Sequence, residues 1–264
     1  GGTAGRTTLA GEGLQHQDGH SHLLACAGPN VVTYDPAYAY ELAVIIRDGI
    51  RRMYEFGENI LYYLTVYNEN YAMAPMPEGA KEGILKGMYK IQPSQVNAAA
   101  PLAHLLGSGP ILNETLKAQR ILEENYGIPS EVWSVTSYKE LHRDGIDVER
   151  WNMLHPSEKP RVSYLGQTLG GTQGVVVAAS DYVKALPDMI SRWIRAPFFS
   201  LGTNGFGRSD TRKYLRDFFE VDARYIVIAT LSTLMRQCKV KSDVVKQAIK
   251  DLDVNPEKAN PMIS

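Results

Sequence analysis

The sequence contains few cysteines, no long apolar run and almost no net charge. Cys26 and Cys238 are its two cysteines, too few for a disulfide framework, so we expect a reducing compartment, the cytoplasm. No stretch approaches the roughly 20 apolar residues of a membrane-spanning helix, and no signal peptide precedes the first glycine, so the sequence predicts no membrane association. The net charge of −1 offers no electrostatic attraction to nucleic acid or to an anionic membrane surface.

What the sequence does contain is enough apolar material for a folded core. Hydrophobic residues make up 44% of the 264 positions and charged residues 22%, ordinary values for a globular chain of one or two domains. The chain has no initiator methionine and opens with GGTAGR, which is typical of a loop. We therefore expect a piece of a longer polypeptide that begins inside a domain.

Strand and helix patterns alternate in the first third of the chain. Val31–Tyr34 has the composition of a strand, and Asp35 followed by Pro36 offers a helix N-cap and first turn. After a run of helical periodicity, residues 60–66 form a near-continuous apolar segment, typical of a parallel strand covered on both faces. A short helix is expected within residues 75–90. The order strand, helix, strand predicts an α/β fold.

A domain boundary is expected in QPSQVNAAAP, residues 92–101, where the periodicity stops. The second part is also predicted to be α/β, with strands at His104–Leu106, Val132–Val135, Val175–Ala178 and Phe198–Leu201. Helices are predicted from Asn113 to Gly127, from about Tyr182 to Trp193, and from about Thr211, Ala223 and Asp243. The chain then divides into residues 1–91, a linker over 92–101, and residues 102–264.

The stretch GEGLQHQDGHSH, residues 11–22, gathers three of the six histidines, a glutamate and an aspartate among glycines. His16, His20 and His22 have spacings that can bind zinc or copper, but the glycines disfavour the helix in which His16 and His20 would converge. Imidazoles that titrate near neutrality could also serve in acid–base catalysis. An ordinary polar turn is the third interpretation. From the residues alone the turn is favoured and the other two remain open.

Other polar and aromatic features are less specific. GTNGFG, residues 202–207, precedes a predicted helix and could hold an anion together with Arg208, but a plain strand-to-helix turn is the simpler interpretation. His142 and His155 have turn-like contexts, and Trp151 is typical of a core or an interface.

Five long stretches resemble one known family. They are GGTAGRTTLAGEGLQHQDGHSH, PNVVTYDPAYAYELA, YNENYAMAPMPEGAKEGILKGMY, SVTSYKELHRDGIDVERWNMLHP and LGTNGFGRSDTR. On these motifs the chain resembles the bacterial homodimeric pyruvate dehydrogenases, the decarboxylating first components of the pyruvate dehydrogenase complex, within the transketolase superfamily. The resemblance covers the chain nearly end to end and is weakest around residues 92–103 and 164–200.

The resemblance implies a more detailed fold. Residues 1–91 resemble the C-terminal half of that family's pyrimidine-binding middle domain, which has a parallel sheet. Residues 102–264 resemble its transketolase-type C-terminal domain, which has a mixed sheet and flanking helices. The ligands of thiamine diphosphate and Mg²⁺ are then expected upstream, so no cofactor-binding or metal-binding residue is assigned within this chain.

The resemblance also implies roles for the polar loop. Glu12 and His16 match active-site positions that face the substrate, and they are the catalytic candidates. His20, His22 and Asp18 are weaker candidates for substrate binding, and Asp18 could instead fix the turn. A nearby imidazole can exchange a proton with the oxygen on the keto carbon of pyruvate, or bind its carboxylate.

The implied activity is decarboxylation of pyruvate and acetylation of a lipoyl group on the acyltransferase component, by a homodimer. This chain alone is then expected to be inactive. The alternatives are ketol transfer as in transketolase, a non-catalytic module for dimerisation or docking, and a zinc-binding domain.

Overall fold

The computed structural model describes residues 4–96 and 102–264. The strands are β1 (Val31–Tyr34), β2 (Leu61–Leu64), β3 (Met88–Gln92), β4 (Ala103–Gly107), β5 (Ser130–Val135), β6 (Val175–Ala179) and β7 (Phe198–Leu201). The α-helices are α1 (Ser21–Cys26), α2 (Ala39–Ile50), α3 (Ala80–Lys86), α4 (Ile111–Tyr126), α5 (Tyr138–Leu154), α6 (Tyr164–Leu169), α7 (Ala185–Asp188), α8 (Arg212–Phe218), α9 (Ala223–Arg236) and α10 (Ser242–Asp251). Within these two described segments, no helix is both long and apolar enough to cross a membrane.

The strands form two sheets. Strands β1 and β2 are a parallel pair with Val31 opposite Leu61, and α2 forms the crossover between them, extended by a π-helical turn at Arg51–Glu55. The other five strands form a sheet in the order β3-β5-β4-β6-β7, in which β3 is antiparallel to β5 and the remaining pairs are parallel. The parallel first sheet and the mixed second sheet confirm the predicted α/β fold class.

The second sheet buries an apolar cluster on each face. Leu105 of β4 belongs to one cluster with Leu122 of α4 and Ile226 of α9. Its neighbour Leu106 belongs to the opposite cluster with Leu141 of α5. Successive side chains of a strand point to opposite faces, and each fully buried leucine or isoleucine contributes roughly 1.5–3 kcal/mol relative to exposure. Helices therefore cover both faces of the second sheet.

Strand β3 belongs to the second sheet although it lies before most of the predicted linker. Met88 pairs with Val135 of β5, and Lys90 pairs with Trp133. Sequence analysis did not predict this strand, and the expected boundary between residues 91 and 92 falls inside it. The division into domains stays a prediction, and residues 97–101 of the linker lie outside the described part of the chain.

Three predicted helix positions were wrong. The N-cap of α2 is Tyr38, not Asp35, because the Asp35 side chain binds residues that follow β2. The N-cap of α4 is Pro110, and the side chain of Asn113 donates to the Pro110 carbonyl from inside the first turn. The helix expected over 182–193 is reduced to α7 and a short 3₁₀ turn, since the backbone of Tyr182 pairs with the turn that follows β7.

Candidate functional site

The polar loop at residues 11–22 lies against the glycine turn at residues 202–210. The N–H of Gly11 donates to the carbonyl of Asp210 at 3.0 Å, and the N–H of Arg208 donates to Oε1 of Gln17 at 2.7 Å. Gln17 and Arg208 are 191 positions apart in the sequence, yet the two stretches are in direct contact. Two features that the sequence presents separately therefore form one structural unit.

The buried side chain of Arg6 contacts both of these loops from the interior of the fold. It is 3% exposed, and its guanidinium donates to the carbonyls of Thr203 and Gly205. Its Nη2 also lies 3.2 Å from Nδ1 and 3.5 Å from Nε2 of His20. A Cβ atom on Gly19 would lie 2.4 Å from Nε of Arg6, so the loop can pass this close to the guanidinium only with glycine at position 19. The turn carbonyls thus face a cation, which favours the plain-turn interpretation of GTNGFG over an anion site.

Asp18 fixes the bend between the loop and α1. Its carboxylate accepts hydrogen bonds from the N–H groups of His20 at 3.0 Å and Ser21 at 2.9 Å, and from the Ser21 hydroxyl. Its own N–H donates to the carbonyl of Gly5 at 3.1 Å. These contacts are those expected of a residue that fixes a turn, and the role of Asp18 in substrate binding stays a prediction.

The three loop histidines occupy different environments. His22 is 3% exposed, with Nε2 3.1 Å from Oγ1 of Thr65 and its ring 4.7 Å from the ring of Tyr182, and burial lowers the pKa of its imidazole. The His20 side chain is exposed. Its remaining burial and the adjacent charge of Arg6 lower the pKa of its imidazole. His16 ends a 3₁₀ turn at Leu14–His16 and is exposed.

Solvent exposure separates the five candidates predicted from the sequence. The side chains of Glu12, His16 and His20 are exposed, Asp18 is half-buried, and His22 is buried. A substrate that reaches this loop from outside can therefore contact the first three directly. Thr65 and Tyr182, which contact His22, are themselves buried.

A buried carboxylate that sequence analysis missed lies behind the loop. Asp181 accepts hydrogen bonds from the backbone N–H groups of Arg6 and Thr7, each at 3.1 Å. Burial raises the pKa of Asp181 to about 7, although the hydrogen bond from Thr7 and the charge of Arg216 act in the opposite direction. Asp181 follows the end of β6 by two residues. The sequence signal was an acidic residue just past the carboxyl end of a parallel strand, where sites in α/β proteins tend to form.

Asp35 lies directly after the end of β1. Its Oδ1 accepts hydrogen bonds from the Thr65 hydroxyl at 2.7 Å and from the Tyr67 hydroxyl, and Thr65 in turn contacts His22. Asp35 therefore links the buried histidine to the end of the first sheet. It had been predicted to be a helix cap, so its place in this network was not foreseen.

A second buried network joins the segment after β2 to helices of the second part. Arg216 of α8 contacts Glu69 at 3.1 Å and Glu114 of α4 at 3.5 Å, and its Nε lies 3.3 Å from the hydroxyl of Thr7. Burial acts to lower the pKa of Arg216, but Glu69, Asp181 and Glu114 raise it overall, so its guanidinium stays charged. The segment after β2 and the helices α4 and α8 are thereby held together by charge.

The remaining histidines that the sequence suggested lie on or beside α5. Trp151 stacks on His155 with ring centres 4.4 Å apart, and the guanidinium of Arg161 lies 3.9 Å from the centre of the Trp151 ring. His142 packs edge-on against Trp193. In residues 4–96 and 102–264, no group of three or more His, Cys, Asp or Glu side chains could hold a metal ion.

Two family models and several known proteins match this chain. The model of the pyruvate dehydrogenase E1 component middle domain matches residues 1–74, and that of the transketolase-like C-terminal domain matches residues 87–222, more than half of the chain. The pyruvate dehydrogenase E1 component of Pseudomonas aeruginosa is 54% identical over 263 residues and 99% of this chain. That of Escherichia coli is 50% identical over 266 residues and 100% of this chain. The chain spans about 30% of the length of these relatives.

Solved structures with the same fold include transketolases. A transketolase variant from Pichia stipitis aligns with a TM-score of 0.65 at 16% identity, over 90% of this chain and 30% of that one. Transketolase from Campylobacter jejuni aligns with a TM-score of 0.60 at 18% identity, over 87% of this chain and 30% of that one. At such identities the similarity concerns the fold alone. From the family models and the close relatives together, the chain belongs to the family of pyruvate dehydrogenase E1 components, with part of that family's middle domain followed by a transketolase-like C-terminal domain.

Proposed function

We propose that the protein containing this chain uses thiamine diphosphate and Mg²⁺ to decarboxylate pyruvate. It then passes the acetyl unit to a lipoyl group of an acyltransferase component in a multienzyme complex. The observation that carries this proposal is the 54% identity, along nearly the whole chain, to a relative named pyruvate dehydrogenase E1 component. Because the chain spans only part of that relative, the remaining machinery is expected in other segments of the polypeptide.

The exposed groups of the loop fit the reacting end of thiamine diphosphate better than its diphosphate end. Glu12 is exposed, and its carboxylate would repel a diphosphate, whereas a cationic ring would attract it. The guanidinium of Arg6 is buried and already engaged by two carbonyls. We therefore expect the diphosphate and Mg²⁺ to bind residues outside this chain. The chemistry that bound thiamine diphosphate supplies is a carbanion nucleophile and an electron sink.

Three loop residues are proposed to act on the substrate. His16 and Glu12 can exchange a proton with the oxygen on the keto carbon of pyruvate, since both are exposed and lie four residues apart in the loop. His20 is the best-positioned imidazole for binding the substrate carboxylate, because it is exposed and a buried cation holds its ring. His22 and Asp18 support this arrangement from within the fold.

A second candidate function, assembly, is favoured by exposed apolar side chains on the first part of the chain. Ile46 and Ile50 of α2 are 42% and 52% exposed, and Leu61 of β2 is 61% exposed. Exposed apolar patches of this kind mark contacts with other protein surfaces. We propose that they are covered in a homodimer or by other segments of the polypeptide. Sedimentation of the complete protein with and without its acyltransferase partner tests this role.

A cytoplasmic location is proposed for the same protein. Cys26 and Cys238 are both free, the first half-buried and the second exposed. An exposed free thiol is stable in a reducing compartment and is prone to oxidation outside one. Recovery of the protein in the soluble fraction with both thiols titratable is the expected observation.

The substrate proposal is tested by comparing donors on the complete polypeptide. Turnover with an artificial electron acceptor is measured with pyruvate, with a longer 2-oxo acid and with a ketose phosphate. Pyruvate is expected to give by far the highest kcat/KM. Preference for the ketose would support ketol transfer instead, and turnover by the isolated 264-residue chain would contradict the expectation that this part alone is inactive.

A further inference from the structure

The contact between Arg6 and His20 carries information about the proton on the imidazole. Nη2 of Arg6 lies 3.2 Å from Nδ1 of His20 and 3.5 Å from Nε2. A guanidinium has five N–H donors and no acceptor, so a ring nitrogen that hydrogen-bonds to it must present a lone pair. A doubly protonated imidazole has no lone pair to offer. A cation this close to both ring nitrogens also disfavours a second positive charge on the imidazole, so the contact favours the neutral form of His20.

Nη2 lies almost equally far from both ring nitrogens, so it approaches the imidazole from its face and not along one lone pair. A neutral imidazole still carries one N–H. With that N–H, neutral His20 is a hydrogen-bond donor to an oxygen of a bound ligand.

We propose that Arg6 is a positioning residue that keeps His20 neutral, so that His20 donates a hydrogen bond to a carboxylate or keto oxygen of the substrate. This inference rests on the proposed function, in which His20 faces a 2-oxo acid. It adds a residue, Arg6, that no sequence motif singled out, and it assigns His20 the role of donor.

The structure explains why Arg6 can hold this position. Its side chain is buried, and Nη1 of its guanidinium donates to the carbonyls of Thr203 and Gly205. Its backbone N–H is held by the buried carboxylate of Asp181. Since the backbone and the guanidinium are both anchored, the nitrogen that faces His20 has little freedom to move away.

Two charged groups face His20, and they act in opposite directions. Partial burial and the Arg6 charge lower the pKa of His20, and the Asp18 carboxylate raises it, with a net lowering. Asp18 is committed to the N–H groups of His20 and Ser21, so its carboxylate binds the backbone and not the imidazole. Arg6 is therefore the one of the two that contacts the ring itself.

The test measures the pKa of each histidine in the complete enzyme. Hydrogen–deuterium exchange at the imidazole Cε1–H, followed by mass spectrometry of peptides across a range of pH, reports the pKa of His20 and of His155 in one experiment. The variants are Arg6→Met, which removes the charge at similar length, and Arg6→Lys, which keeps it. His155 stacks on Trp151 and serves as the internal reference.

We expect the pKa of His20, and not that of His155, to depend on the charge at position 6. In the wild type the pKa of His20 lies below the ordinary histidine value; in Arg6→Met it rises, in Arg6→Lys it stays low, and that of His155 does not change. Because His20 in Arg6→Met is then protonated at a higher pH, the acid limb of its pH profile of kcat/KM for pyruvate also moves to higher pH. The loss of kcat/KM relative to the wild type is then about tenfold greater at pH 6 than at pH 8.

Two results would overturn the inference. A wild-type His20 pKa at or above the ordinary histidine value does so without any variant, so the test survives if Arg6→Met fails to fold. An unchanged His20 pKa in a folded Arg6→Met protein does so as well. Failure of the proposed function has a different signature, which is a lack of pyruvate turnover by the wild-type complete enzyme while the pKa results hold.

Discussion

Oδ1 of Asp181 accepts a hydrogen bond from the backbone N–H of Thr7 at 3.1 Å, across 174 positions of sequence. This bond joins the segment that precedes the polar loop to the carboxyl end of β6 in the second sheet. The neighbouring N–H of Arg6 donates to the other oxygen of the same carboxylate. The loop histidines therefore depend on the second part of the chain for their position, although they come from the first.

The first prediction concerns Asp181 and pH. Burial raises its pKa to about 7 in the folded chain, well above the value of about 4 that an aspartate has when unfolded. Between these values the folded state binds the proton more tightly than the unfolded state, so the contribution of Asp181 to stability falls as pH rises from about 4 to about 7. Asp181→Asn, which cannot ionise, should therefore destabilise the chain less at pH 8 than at pH 5.

The measurement is the free energy of unfolding in urea for wild type and Asp181→Asn at both pH values. Other carboxylates that titrate in this range affect both proteins equally and cancel in the difference. An equal or larger destabilisation at pH 8 would mean that Asp181 is ionised with an ordinary pKa.

The second prediction concerns the buried charge network of Arg216. Arg216→Met leaves Glu69 and Glu114 without their shared cation. Breaking a buried pair typically costs about 3–5 kcal/mol, and we expect the lower end because Lys117 stays 2.7 Å from Glu114. The matched control is Arg212→Met, because Arg212 is 3.9 Å from Glu69 and its side chain is 36% exposed. An exposed pair contributes about 0–1 kcal/mol. Chemical unfolding of both variants should separate them clearly, and equal effects would contradict the assignment.

The third prediction concerns the close approach at Gly19. An added Cβ would lie 2.4 Å from Nε of Arg6, so Gly19→Ala must displace either the loop or the guanidinium. We expect kcat/KM for pyruvate in the complete enzyme to fall about tenfold or more, because a small misplacement of a positioned group has an effect of this size or larger. Gly171→Ala is the control, since nothing lies within 4 Å of its Cβ position. Equal activity of the two variants would show that the Arg6 contact is dispensable.

The fourth prediction separates the roles of His16 and His22. His16→Ala should reduce decarboxylation by roughly 10²–10⁴-fold with cofactor binding intact, as expected for a proton-transfer group. His22→Leu should act mainly through stability, since His22 is buried and its Nε2 contacts Thr65. Cofactor titration, melting temperature and initial rates distinguish the two cases. A near-normal rate in His16→Ala would assign His16 to the surface of the turn.

The sequence predicted those parts of the fold that depend on local pattern. The strand–helix–strand unit around α2 and the strands β4 to β7 were found because apolar periodicity and flanking turn residues act within a few positions. Strand β3 was missed because its pairing with Val135 is made across more than 40 residues. Asp35 was mistaken for a helix cap because its partners, Thr65 and Tyr67, lie beyond the next strand.

The candidate site was predictable in part. The loop stood out because three histidines and two acids lie within 12 residues. Which histidine faces solvent was not readable from that spacing, because it depends on Tyr182 and Thr65 around His22 and on Arg6 beside His20. The contacts that Arg6 and Asp181 make around the loop could not be predicted for the same reason. They act across distances in sequence that no motif encodes.

Release of carbon dioxide from pyruvate labelled at its carboxyl carbon tests most directly whether the loop takes part in decarboxylation. It is measured in a single turnover of the complete enzyme with thiamine diphosphate and Mg²⁺, for the wild type and for His16→Ala/His20→Gln. We predict rapid release by the wild type, and a loss of at least about 10²-fold in the double variant with unchanged cofactor affinity. Release at the wild-type rate by the double variant would contradict the account, because the loop would then take no part in decarboxylation.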